Sequence, residues 1–128
     1  MKQIRIVIAD DHEVVRVGIK ALLHQHSELH VVGEASTGEE AIEQVEMLNP
    51  DVVVMDIRMP GMSGVDLLRS LRSYALTRDI AFLMITGDGD RNHIAEAANA
   101  GASGYIVKPF TKATLEEKVA KIVQKIAR

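Results

Sequence analysis

The sequence predicts an α/β fold, a doubly wound five-stranded parallel sheet with helices on both faces in a three-layer sandwich. Three observations carry this. Short, mostly β-branched apolar runs alternate with segments of helical periodicity along all 128 residues. Apart from a few polar residues such as Arg5 and Glu34 the runs are apolar, the mark of strands buried on both sides, and right-handed crossovers then place helices on both faces. Four of the runs also stop abruptly on polar residues: Ile4–Ala9 on Asp10 and Asp11, Val52–Met55 on Asp56, Phe82–Ile85 on Thr86, and Tyr105–Val107 on Lys108. In a parallel sheet these ends share one edge, which is where such folds bind ligands.

The elements follow in order. After the first strand, Val15, Ile19, Leu22 and Leu23 recur at helical spacing and predict a helix over roughly 13–26. A second strand covers about 30–35. Thr37 to Glu40 reads as a capping box opening a second helix, whose buried stripe is Ala41, Val45 and Leu48. Pro50 disfavours helical dihedrals at Asn49 and ends it. Past the third strand, Pro60, Gly61 and Gly64 mark a turn, and Ser63 is the expected cap of a third helix carrying Val65, Leu68 and Leu71.

The fourth strand, near 81–85, leads through the polar loop Gly87 to Asp90 into a fourth helix over about 91–100. That helix is expected to bury Ile94, Ala97 and Ala98 on a thin face, with Gly101 as a left-handed C-terminal cap. A fifth strand over about 104–107 ends at Lys108-Pro109. Leu115, Val119, Ile122 and Ile126 form the cleanest helical stripe of the chain. No repeat, low-complexity segment or interdomain linker is visible, so residues 1–128 are expected to form a single domain.

Composition excludes several functions. With no cysteine, thiol catalysis, disulfides and thiolate metal sites are absent. A formal charge of −3 without a basic patch argues against direct nucleic-acid binding. The N-terminus reaches acidic residues too early for a signal peptide, and no apolar run approaches membrane-spanning length. A soluble cytoplasmic protein is the expectation.

The strand-end residues are suited to phosphate chemistry. Mg²⁺ takes oxygen ligands in octahedral geometry and keeps several waters, and Asp10, Asp11 and Asp56 offer carboxylates of that kind. Taken alone, Asp10-Asp11 reads equally well as an N-cap pair worth ~1 kcal/mol. Asp56, closing an apolar run in a loop not yet helical, has no capping role. Lys108 alone reads as a snorkelling lysine; facing three carboxylates it becomes a counter-charge and a donor to a phosphoryl oxygen. Thr86 alone reads as a strand-former, with Gly87 leaving space and a free N–H beside it.

Asp10-Asp11, MDIRMPGMSG around Asp56, Thr86, and GASGYIVKPF around Lys108 together resemble the response-regulator receiver domains of two-component signalling, over essentially the whole chain. The resemblance implies the flavodoxin-like strand order 2-1-3-4-5. It implies that Asp56 accepts a phosphoryl group from a histidine kinase or phosphotransfer protein. It implies that Asp11, Asp56 and the carbonyl of Arg58 bind Mg²⁺, with Asp10 reaching it through water, and that Lys108 and Thr86 hold phosphoryl oxygens. Lys108-Pro109 would be a cis peptide.

Thr86 would be drawn inward on phosphorylation and Tyr105, the counterpart of the family's switch aromatic, would follow. Tyr105 alone reads equally as a plain strand aromatic. The change would remodel the surface of the fourth helix, fifth strand and fifth helix for a downstream protein. Arg58 and Asp88 fall where family members differ and the rate of dephosphorylation is tuned; the two are expected to pair across the pocket mouth.

The first half, DDHEVVRVGIKALL and VVGEASTGEEAIE, resembles receivers attached to helix-turn-helix DNA-binding domains. The tail, GASGYIVKPFTKATLEEKV, resembles the stand-alone chemotaxis regulator. A single-domain regulator, a receiver from a larger transcription regulator, and a hybrid all fit, as monomer or phosphorylation-dependent dimer. Such a protein catalyses its own phosphorylation and dephosphorylation and is not a turnover enzyme in the usual sense. An aspartyl phosphohydrolase on a similar sheet is the rival, but it typically has a second aspartate two positions after the nucleophile, where this chain has Arg58. An adaptor that is never phosphorylated leaves the acidic set and Lys108 without purpose.

Overall fold

A computed structural model of the chain describes residues 3–57, 59, 64–74, 77–87 and 91–126, excluding the side chains of 64, 91–94, 97 and 126. Strands and helices alternate: β1 (Ile4–Ala9), α1 (Glu13–Leu23), β2 (Leu29–Ala35), α2 (Gly38–Leu48), β3 (Val52–Asp56), α3 (Gly64–Arg72), β4 (Ala81–Thr86), α4 (Arg91–Ala100), β5 (Gly104–Val107) and α5 (Lys112–Ile126). All strand pairs are parallel and the order is β2-β1-β3-β4-β5. This is the doubly wound, flavodoxin-like sheet that the alternation and the resemblance predicted.

Strand alternation divides the core in two. Ile6, Ile8, Val52, Val54, Leu83, Ile85 and Ile106 face α1 and α5, meeting Ile19, Leu23, Leu115, Val119 and Ile122. Val7, Ala9, Val53, Met55, Phe82 and Met84 face α2 and α3, meeting Ala41, Val45, Val65, Leu68 and Leu71. β3 and β4 are buried at every residue, which is why their sequences read as continuous apolar runs. No helix among the described residues is long and apolar enough to cross a membrane.

The helix ends correct several expectations. α1 stops at Leu23, not His26, and five residues of turn and bend lead from it to β2; no glycine or proline marks that end in the sequence. Thr37 accepts the Glu40 N–H at 3.1 Å, but the Glu40 carboxylate takes the Ser36 hydroxyl at 2.8 Å, so the box is half closed. Asn49 adopts a left-handed conformation (φ 45°) at the end of α2, and Arg5 donates to the carbonyls of Leu48 and Asn49, two of the acceptors that a helix end leaves open. Gly101 is left-handed as expected, with φ 102°.

Ala98, expected in the core, is exposed, and Ala100 in the last turn of α4 is half-buried and packed against the α2–α3 side, while the side chains of Ile94 and Ala97 lie outside the described residues. The Arg72 guanidinium fastens this corner. It donates to the carbonyl of Gly101 at 2.7 and 3.1 Å and to those of Arg78 and Ile80, and it lies over the Phe82 ring. The expected cap Ser63 lies outside the described residues.

Candidate functional site

The carboxyl ends of β1, β3, β4 and β5 bring the polar residues to one edge, and strand parity sorts them into two rows. Asp10 continues the row of Ile6 and Ile8, Asp56 that of Val52 and Val54, and Lys108 that of Ile106. All three belong to the α1–α5 face. Thr86 continues the row of Phe82 and Met84 on the other face. Tyr105 is in register with Met84, and Thr86 with Val107, so Tyr105 lies diagonally across from Thr86 in that second row.

Asp56 is not in a loop. It is the last residue of β3, in register with Ile85, and the N–H of Ile57 bonds to Ile85 O at 2.9 Å just beyond it. The nucleophile candidate is therefore held on a strand in the middle of the sheet and is 5% exposed. Asp10 is fully buried.

The N-cap reading of the acidic pair fails. The residue capping α1 is His12, whose side chain makes no cap hydrogen bond. Asp10 instead folds back on its own turn: Oδ1 accepts the His12 N–H at 2.8 Å. Its carbonyl accepts from Arg16 Nη1 at 2.6 Å, and Arg16 in turn lies 3.4 Å from Glu34.

Lys108 crosses the edge from β5. Its N–H donates to Thr86 O at 2.7 Å, which carries the β4–β5 pairing into the loop, and the Lys108-Pro109 peptide is cis. Nζ lies 3.2 Å from Asp10 Oδ2 and 3.2 Å from Asp56 Oδ2. Burial pulls this ammonium toward neutrality, but the charges and hydrogen bonds of Asp56 and Asp10 outweigh it, and the pKa ends above the usual 10.5. Lys108 is thus a fixed cation at neutral pH, not a snorkelling surface lysine.

Asp10, Asp11, His12 and Asp56 each present a ligand atom, and these atoms lie within 4.8 Å of one another. Three hard carboxylates at an accessible sheet edge are a donor set that suits Mg²⁺. Thr86 is buried at the same edge. Tyr105 is 41% exposed, with Lys118 Nζ 5.4 Å from its ring centroid. Arg58, with the carbonyl expected to serve as a ligand, and Asp88 lie outside the described residues.

His12 and Arg16 did not stand out in the sequence. The signal was there: a third polar residue follows the acidic pair before α1 starts, and an arginine sits one turn further along the helix.

A family model described as the response regulator receiver domain matches residues 6–120. Chemotaxis protein CheY-3 of Vibrio cholerae is 42% identical over 125 residues, covering 98% of this chain and 95% of that protein. Transcriptional regulatory protein DegU of Brevibacillus brevis is 38% identical over 123 residues, covering 95% of this chain and 51% of that protein. Among solved structures, the signal receiver domain of the putative response regulator NarL from Mycobacterium tuberculosis matches with a TM-score of 0.90 at 31% identity, covering 97% of this chain and 98% of that one. A sheet edge carrying Asp10, Asp11, Asp56, Thr86 and Lys108, a family model over nine-tenths of the residues, and relatives matched from end to end lead to one assignment: the chain belongs to the response-regulator receiver family.

Proposed function

We propose that this chain is a phosphoacceptor domain in which Asp56 takes a phosphoryl group from a histidine kinase or phosphotransfer protein in an Mg²⁺-dependent reaction. The observation that carries the reading is Lys108 Nζ at 3.2 Å from both Asp10 and the buried Asp56, with Asp11 beside them. A carboxylate oxygen of Asp56 attacks phosphorus as the bond to the donor histidine nitrogen breaks, and that nitrogen leaves with the electron pair. Asp10, Asp11 and Asp56 would hold Mg²⁺, which supplies charge neutralisation and in-line orientation when bound. Lys108 exchanges its Asp56 contact for a phosphoryl oxygen, and the Thr86 hydroxyl donates to another.

Thr86 and Tyr105 share the second row, so a shift of Thr86 toward the phosphoryl group opens space on the face to which Tyr105 belongs. The half-exposed tyrosine on the edge strand then moves in, and the surface of α4, β5 and α5 changes for a downstream protein. Residues 1–128 act as one receiver unit in the cytoplasm, as a monomer or a phosphorylation-dependent dimer. The match to half of DegU favours a second arrangement, in which the same unit regulates an attached DNA-binding domain.

The test is intact mass after incubation with Mg²⁺ and acetyl phosphate. A single labile phosphoryl adduct that is missing in Asp56→Asn is expected. Adduct formation in Asp56→Asn would overturn the assignment of the nucleophile, and sustained phosphate release from varied esters would favour a phosphohydrolase.

A further inference from the structure

We propose that His12 is an additional ligand of the cation site and turns an all-oxygen Mg²⁺ site into one that prefers first-row transition cations of the Co²⁺ and Ni²⁺ class. The proposal rests on the reading of Asp10, Asp11 and Asp56 as the cation ligands. The connection from β1 to α1 is only Asp10, Asp11 and His12, so the imidazole is placed beside the two carboxylates by chain length alone. His12 holds the N-cap position in an extended conformation (φ −98°, ψ 109°), and its side chain takes no part in capping.

The spacing suits coordination. His12 Nδ1 lies 3.2 Å from Asp10 Oδ1 and 3.1 Å from Asp11 Oδ1. Neighbouring ligands around an octahedral ion with bonds near 2.1 Å stand about 3.0 Å apart, being separated by √2 bond lengths. The 4.8 Å spread of all four ligand atoms is slightly wider than the roughly 4.2 Å between opposite ligands, and a small contraction closes it. Lys108 contacts the other oxygen of Asp10, Oδ2, which leaves the Oδ1 side to His12 and Asp11.

The donor chemistry then sets the preference. Mg²⁺ takes oxygen and gains little from imidazole, whereas imidazole adds affinity for Co²⁺ and Ni²⁺ along the Irving–Williams series. The competing account is an imidazolium that only pairs with Asp10 and Asp11. A resident cation of that kind competes with every metal, so its removal would strengthen Mg²⁺ and Co²⁺ binding alike.

The two accounts separate by calorimetric affinity for Mg²⁺ and Co²⁺ at about pH 8, above the ordinary imidazole range, with the visible Co²⁺ spectrum as a second readout. Untagged protein is compared with His12→Phe and His12→Gln, circular dichroism confirming that each is folded. The expected result is a Co²⁺ dissociation constant raised about tenfold or more in both variants, a changed Co²⁺ spectrum, and Mg²⁺ affinity altered by less than about twofold. Equal changes for the two metals, or none for either, would overturn the role of His12. Asp11→Asn separates the underlying assignment: it should weaken both metals, and unchanged Mg²⁺ binding there and in Asp56→Asn would overturn the cation site itself.

Discussion

The inner strands β1, β3 and β4 and the edge strand β5 end on the same side of the sheet, yet they treat their polar residues differently. β1, β3 and β4 have neighbours on both sides and deliver Asp10 at 0%, Asp56 at 5% and Thr86 at 2% exposure. β5 is the edge of the sheet; it buries Ile106 and leaves Tyr105 at 41%. Parity separates them again, since Asp10, Asp56 and Lys108 continue the α1–α5 row and Thr86 and Tyr105 the opposite one. The two buried carboxylates that need fixed geometry sit where the sheet is held from all sides, and Tyr105, the residue that would move, sits where it is held least. Substitutions in the first row should therefore change stability and phosphoryl chemistry together, and those in the second row should change the response more than they change adduct formation.

Lys108→Met should have the largest effect. It leaves Asp10 and Asp56 facing each other without their shared cation, and stripping the partner from a buried ion pair costs ~3–5 kcal/mol. Urea unfolding in EDTA should show a loss near the lower figure because Lys108 keeps some exposure, and saturating Mg²⁺ should restore part of it. The pH dependence has a definite sign. Burial lowers the Lys108 pKa but Asp56 and Asp10 raise it further, so the folded value lies above 10.5. The stabilisation is complete below that value and is lost as pH rises through the folded pKa. The gap between wild type and variant should hold across neutral pH and narrow only in strong alkali.

Arg16→Met should come next. It removes the donor to the Asp10 carbonyl and leaves Glu34 paired with Lys20 alone, costing about 1–2 kcal/mol if that carbonyl stays unpaired. Because that peptide orients Asp10 and Asp11, calorimetric Mg²⁺ affinity should fall severalfold, and Arg16→Lys should recover it only partly. Unchanged affinity would make Arg16 a packing residue.

Thr86→Val tests the second row. The shape is nearly kept but a buried hydroxyl is lost, so stability should move by about 0.5–1.5 kcal/mol, the net worth of one hydrogen bond, and the mass adduct on Asp56 should still form. Amide shifts around Tyr105 and Lys118 on phosphorylation should nevertheless shrink or vanish in an NMR titration. If they persist at full size, the diagonal from Thr86 to Tyr105 does not carry the response.

Much of this was legible in the sequence because burial writes itself in apolar runs. Ile4–Ala9 and Gly104–Val107 come out with the expected bounds, since each apolar run stops sharply on a charged residue, Asp10 and Lys108. The convergence of Asp10, Asp11, Asp56 and Lys108 was legible for a topological reason: parallel strands must end on one edge. Three things were not. The end of α1 at Leu23 carries no glycine or proline, so periodicity ran on to His26. His12 and Arg16 act through the Asp10 turn, and turn geometry has no hydrophobic signature. Asp56 looked like a loop residue because a buried carboxylate at a strand end breaks the apolar pattern while the backbone pairing goes on.

Ala98 is a fourth misreading and offers the smallest predicted effect. Alanine occupies positions 95, 97, 98 and 100 of α4, and a side chain that small is tolerated on either face, so it gives periodicity almost nothing to measure. The structure places Ala98 in solvent and turns Ala100 toward the core, where Arg72 holds the carbonyl of the adjoining Gly101. Ala98→Lys should then cost no more than about 0.5 kcal/mol, as for surface positions generally, and the urea midpoint should barely shift. A loss of several kcal/mol would mean that α4 packs the way its alanines first suggested, and that the contrast between a firmly held inner sheet and a lightly held outer edge has been drawn too strongly.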